Sequence, residues 1–95
     1  MIFISRSPIN GLGVFAKTVI PRNQLIGLSH WWNGFVWQST LLGKYHNHSN
    51  LPNAVNIKVG NHRYLCASRD IHQNEEITVN YILQPDLEQP LPNWR

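Results

Sequence analysis

Ninety-five residues are enough for one modest hydrophobic core and too few for two. An apolar content of 42% with 14% charged residues fits a folded domain and excludes a disordered chain. The formal charge of +3 comes from scattered basic residues, so no basic tail points to DNA or RNA, and the single cysteine, Cys66, excludes an intramolecular disulfide and a cysteine-built zinc cluster.

Met1 to Ser5 reads as a short apolar edge strand. Ser7-Pro8-Ile9-Asn10-Gly11-Leu12-Gly13 is turn chemistry, and Val14 to Ile20 is β-branched and apolar enough for a strand. Pro21-Arg22-Asn23 ends it, and Gln24 to Leu28 starts the next. Trp31, Trp32, Phe35 and Trp37 then crowd around Asn33-Gly34, a pair that favours a tight hairpin. Their rings are expected to cover a small core; the functional alternative is an apolar channel wall or a stacking surface. Ser39 to Lys44 allows one helical turn, with Ser39 as its N-cap and Gly43 as its end.

Tyr45-His46-Asn47-His48-Ser49-Asn50-Leu51-Pro52-Asn53 follows, almost wholly polar or turn-forming. Pro52 fixes φ and removes a donor, so Leu51-Pro52-Asn53 is expected to turn sharply and the whole stretch to form a binding loop. Other readings remain for it. Asn47-His48-Ser49 is formally a glycosylation acceptor, His46 and His48 could ligate a metal from one face, and a polar loop can hold nothing. A lone cysteine favours a reducing compartment, and no stretch reads as a signal peptide or spans a membrane. The expected location is therefore intracellular, with no membrane contact, and glycosylation loses its setting.

Beyond the loop, Ala54 to Val59 alternates as a strand, Gly60-Asn61 turns, and His62 to Ser68 returns. A turn and a short strand over Ile77 to Val79 complete the ordered part. Residues 83–95 form a tail rich in proline (Pro85, Pro90, Pro92) that excludes regular helix. Short strands broken by turns about every eight to twelve residues predict a mainly β domain. His30, His46, His62 and His72 show no metal-ligand spacing and read as surface histidines, so no metal is expected.

Three segments carry a resemblance. Gly11-Leu12-Gly13-Val14-Phe15-Ala16, Asn47-His48-Ser49-Asn50-Leu51-Pro52-Asn53, and Ala67 to Ile71 with Glu75-Glu76-Ile77-Thr78-Val79-Asn80-Tyr81 resemble, in order, the motifs of SET-domain protein-lysine methyltransferases. Together they span about residues 8 to 82. The chain looks like a minimal, free-standing SET domain occupying 1–95, similar to those of some viruses. The resemblance implies a β-clip of short antiparallel sheets with a C-terminal pseudoknot, in which residues 75–81 pass through the loop made by 47–53. It implies S-adenosylmethionine as cofactor, held by Gly11, Leu12, Gly13, Lys44, Tyr45, Asn47 and His48. Tyr81 takes the place of the catalytic tyrosine, and a lysine-bearing protein or peptide is the implied partner. A non-catalytic SET-like module that binds a peptide or the donor is the alternative. Asn74 stands where the family usually has glycine, and Glu75 and Glu76 read as turn and pseudoknot contacts. The span from Gly27 to Asn47 is short for the family. The Pro-rich tail, with Trp94 over the site, or a second copy of the chain in a homodimer could complete the substrate groove.

Overall fold

The computed structural model describes residues 1–80. Three small sheets make the fold. Strands β1 (Ile2–Arg6) and β2 (Leu12–Ala16) form an antiparallel pair, with Ile2 opposite Ala16 and Arg6 opposite Leu12. The second sheet has the order β4-β3-β7-β6, from β3 (Leu25–Trp32), β4 (Trp37–Ser39), β6 (Ala54–Val59) and β7 (His62–Ala67). The third pairs β5 (Asn47–His48) with β8 (Thr78–Val79) in parallel. One helix, α1 (Leu41–Tyr45), precedes β5. Among the described residues, no helix is long and apolar enough to cross a membrane.

The mainly β fold expected from the sequence is therefore present, with several local corrections. The second strand begins at Leu12 and stops at Ala16, and Ile20 makes only an isolated bridge to Ile71. The 54–67 hairpin holds as expected, with Ala54 opposite Ala67 and Val59 opposite His62. Asn33 accepts the N–H groups of Phe35 (2.9 Å) and Val36 (3.0 Å), which makes the 33–36 loop wider than a two-residue turn. Thr40, not Ser39, caps α1: its hydroxyl accepts the Gly43 N–H at 3.2 Å. Gly43 sits inside the helix, because the Ser29 carbonyl lies where a Cβ would stand. Leu42 is the helix's buried residue, and its backbone carbonyl accepts the His46 N–H at the C-cap.

The core lies where the three sheets meet. Val14, Ile20, Leu65, Ile71, Ile77 and Val79 are wholly buried in it. Each such side chain contributes about 2 kcal/mol of burial free energy. The aromatic cluster does not join this core. Trp31 and Trp32 are 39% and 38% exposed and Phe35 is 85% exposed, so the expectation that these rings cover the core is corrected. Neighbouring residues on a strand face opposite sides of the sheet, and Trp31 therefore parts from Trp32. Trp32 meets Trp37 edge to face at 5.7 Å. Trp31 sits opposite Gln38 and His62, so the three rings cannot wall one channel. Trp94, the remaining candidate wall, lies outside the described residues, as does the tail.

Candidate functional site

Residues 74–79 are held from three directions. Toward β2, Asn74 donates to the Ala16 carbonyl (2.7 Å), Ala16 to that of Glu75 (2.9 Å), and Ile77 to that of Val14 (2.7 Å). Toward β5, Asn47 pairs with Thr78 and His48 with Val79, and Ser49 donates to the Val79 carbonyl at 3.0 Å. The third contact is one side chain. Asn53, 2% exposed, accepts the Thr78 N–H through Oδ1 at 2.9 Å and donates Nδ2 to the Glu76 carbonyl at 2.7 Å. Its backbone carbonyl also takes the Ser68 N–H at 2.9 Å. Asn53 thus does for the backbone what a ladder neighbour would do. The closing segment threads between β2, β5 and the start of β6, as the knotted topology requires. Asn74 enters it with φ at 68°, the left-handed conformation that asparagine tolerates better than most residues.

Asn47 and His48 are correspondingly not a loop. They are buried, at 6% and 2% exposure, and form a strand, because Thr78 and Val79 supply a partner some thirty residues away. The Asn47 amide nitrogen donates to the carbonyls of Asn10 (3.2 Å) and Leu12 (3.1 Å) and to Glu76 Oε2 (2.8 Å). All three are pure acceptors, so the amide can be oriented only one way. It leaves Oδ1 as an acceptor not used by any described residue. His48 Nε2 donates to Asn50 Oδ1 at 3.2 Å.

Glu76 ties the same place together from below. Its carboxylate accepts the Ser7 hydroxyl at 2.8 Å as well as Asn47. Gly13 is buried beside it: a Cβ there would run into the Glu76 carboxylate and come within 3.0 Å of Ser7 Cβ. The missing side chain at Gly13 therefore makes room for an internal carboxylate. Gly11 differs: its φ is +46° and nothing lies within 4 Å of where a Cβ would be. Leu12 is 45% exposed, Lys44 is exposed with its ammonium 5.3 Å from the Tyr45 ring centroid, and Tyr45 packs partly against the core. The start of β2, the end of α1 and β5 thus converge. Of the residues expected to form a site, Leu12, Gly13, Lys44, Tyr45, Asn47 and His48 belong to these three elements, and Gly11 lies in the bend just before β2. Tyr81 lies outside the described residues, directly after Asn80.

Glu75 closes the turn before this segment. Burial pushes its carboxyl up, but Arg69 (2.6 Å), the His72 N–H and Asn53 outweigh that and hold it below the usual carboxylate range. Both glutamates therefore act as the turn and pseudoknot contacts expected of them. Among the described residues, no three His, Cys, Asp or Glu side chains are placed to hold a metal ion.

Two histidines correct the surface reading. His30 (9% exposed) and His46 (3%) pack edge to face at 6.1 Å beneath α1. Ser29 gives its one hydroxyl proton to the Arg63 carbonyl, so His30 Nδ1, 3.0 Å away, must donate to Ser29 Oγ. His46 Nδ1 donates to the Leu42 carbonyl at 2.9 Å. Burial, reinforced by His30, lowers the His46 pKa from 6.5 to about 4 against the opposing pull of that hydrogen bond. The unfolded chain then binds the extra proton first as pH falls. Stability is expected to be flat above about pH 6.5 and to drop by roughly 3 kcal/mol between there and pH 4, with Glu75 adding to the loss at the acid end. Urea denaturation across that range checks this, and His46→Gln should remove most of the slope.

A second feature lies at the far end of the large sheet. Trp32, Trp37, Lys58, Gly60 and Asn61 line a cleft of about 440 Å3. The Lys58 ammonium and Arg63 guanidinium sit 5.8 Å and 5.1 Å from the Trp37 ring centroid. Cations already hold that ring, which makes it a poor receptor for another ammonium group.

Comparison with known proteins fits the knot. No curated protein sequence matches the chain. A crystal structure of a Plasmodium falciparum protein provisionally named a histone methyltransferase is similar at 25% identity, with a TM-score of 0.71 over 85% of this chain and 96% of that one. The sequence model of the SET domain matches residues 28–82, more than half of the chain. With its closing strand threaded beside Asn47 and His48, this chain belongs to the SET-domain methyltransferase family.

Proposed function

We propose that the chain transfers a methyl group from S-adenosylmethionine to the ε-amine of a protein lysine, acting inside the cell as one minimal domain. The observation that carries the reading is the Asn47 amide, bonded at once to the Gly-x-Gly segment and to the segment that leads into Tyr81. The surroundings suit the cofactor. Asn47 Oδ1 offers an acceptor for an α-amino group, the exposed Lys44 offers a cation for a carboxylate, and the open backbone at Gly11 with Leu12 and Gly13 offers a bed. Tyr45 and His48 complete the set. When bound, the cofactor supplies a methyl carbon already activated by its sulfonium.

The protein's own share is alignment and exclusion of water. Tyr81 would orient the incoming amine through its hydroxyl. A free lysine side chain has a pKa of about 10.4, and an apolar entrance lowers it by disfavouring the ammonium form, so no carboxylate base is needed. A binding module without turnover is the second reading. The short span between the two halves of the fold favours it, since only the β3–β4 hairpin and the five-residue α1 lie between Gly27 and Asn47 to shape a substrate groove.

Calorimetry should show saturable S-adenosylmethionine binding, weakened at least tenfold by Asn47→Ala. Labelling of a lysine-rich protein extract should fall at least a hundredfold in Tyr81→Phe, with cofactor binding kept. Absence of saturable binding overturns the methyl-transfer reading and leaves only a module that binds a peptide. Binding without labelling under any condition selects the module.

A further inference from the structure

The large sheet has two faces, and among the described residues only one packs on the core. Ala54, Leu65 and Ala67 point inward and are buried. The opposite face carries Val55, Ile57 and Val59 of β6, His62, Tyr64 and Cys66 of β7, Leu25, Leu28 and Trp31 of β3, and Gln38 of β4. The register places these in rows: Val55 opposite Cys66 opposite Leu25, Ile57 opposite Tyr64 opposite Leu28, and Val59 opposite His62 opposite Trp31. Leu25 is 53% exposed, Trp31 39%, Val55 40%, Ile57 41% and Val59 60%. Those five alone leave roughly 450 Å2 of surface open, the size of the largest and often functional patch on a small protein.

None of these ten positions holds Lys, Arg, Asp or Glu, although the chain carries a net charge of +3. A phosphate backbone or a lipid headgroup layer would call for cations on this face, and there are none. A second copy of the same face meets it without like-charge repulsion, and a two-fold pairing closes on itself and leaves no unsatisfied surface. With the half-buried Leu28, Tyr64 and Cys66 included, two such faces together bury at most roughly 1,100 Å2, the low end of what a specific interface needs.

We infer that the outer face of the β4-β3-β7-β6 sheet is a homodimer interface, centred on Tyr64 and Ile57. The face is built from the sheet opposite the core and does not depend on methyl transfer. The thiol on it reports contact: Cys66, the only cysteine, is half-buried in the monomer and would be covered in the pair.

Sedimentation equilibrium from micromolar to millimolar protein tests it. The expected mass is twice 11.0 kDa. Ile57→Glu and, separately, Leu25→Lys should each yield the single-chain mass with unchanged far-ultraviolet circular dichroism, and should raise the alkylation rate of Cys66 at least tenfold. The two substitutions lie on different strands, so misfolding of one leaves the other to decide. A wild-type protein at the single-chain mass over the whole range overturns the inference. So does a dimer that survives both substitutions, which would place the interface elsewhere. A monomer in which Cys66 is nonetheless shielded also overturns it.

Discussion

Asn53→Ala should lower stability by about 4 kcal/mol in urea denaturation, more than any other single polar truncation among the described residues. The side chain is 2% exposed and links the 49–53 segment to two backbone groups of the closing segment, the Thr78 N–H and the Glu76 carbonyl. A net hydrogen bond is worth about 1 kcal/mol, but a buried backbone group left unpaired costs about 1–3 kcal/mol. Two such groups are orphaned here, at a point where Thr78 is only 6% exposed. The conservative variant separates the terms. Asn53→Asp keeps the acceptor for Thr78 but turns an anion toward the Glu76 carbonyl and the Glu75 carboxylate, 3.3 Å from the present Nδ2. Its loss should therefore be relieved on acidification, whereas the Asn53→Ala loss should not. A destabilisation under 1 kcal/mol in Asn53→Ala would mean that the knot is held by its ladders alone.

How much of this was legible follows from how local each signal is. The 54–67 hairpin, its Gly60-Asn61 turn and the left-handed Asn74 depend on neighbours in sequence, and all three stand as read. The partnership of 47–53 with 75–79 came through the family resemblance, since no local pattern ties segments so far apart. That distance also hid the state of Asn47 and His48: they are strand only because β8 arrives beside them. His30 and His46 read as surface residues because polarity was the only cue, whereas their burial comes from α1 folding over β3. The aromatic cluster misled for the opposite reason. Four large rings suggest a core, but the pleat sends Trp31 to one face and Trp32 to the other, at the end of the sheet where the core has run out. Gly13 was legible as a glycine that mattered, yet its neighbour Glu76 was visible only in three dimensions.

That neighbour supports the second large effect. Gly13→Ala should cost about 3 kcal/mol and weaken S-adenosylmethionine binding at least tenfold, although one methyl group is all that is added. Gly13 has no positive φ, so backbone strain is not the cause. The new Cβ would occupy the place of the Glu76 carboxylate and touch Ser7 Cβ. Overpacking of a tight interior costs about 1–3 kcal/mol, and displacing the carboxylate also breaks its bonds to Ser7 and Asn47. Asn47 would lose the anion that helps to orient its amide, which is how a change on β2 reaches the proposed cofactor contact. Glu76→Ala alone should destabilise as well, by removing the same bonds. Combined, the two should be strongly sub-additive, with a coupling of at least 1 kcal/mol, because the truncated side chain leaves room for the methyl group. Simple addition of the two losses would show that Gly13 is bare for some other neighbour. A double variant about as stable as Glu76→Ala alone, with cofactor binding still weakened, is the expected pattern: space is restored, but the carboxylate that orients Asn47 is not.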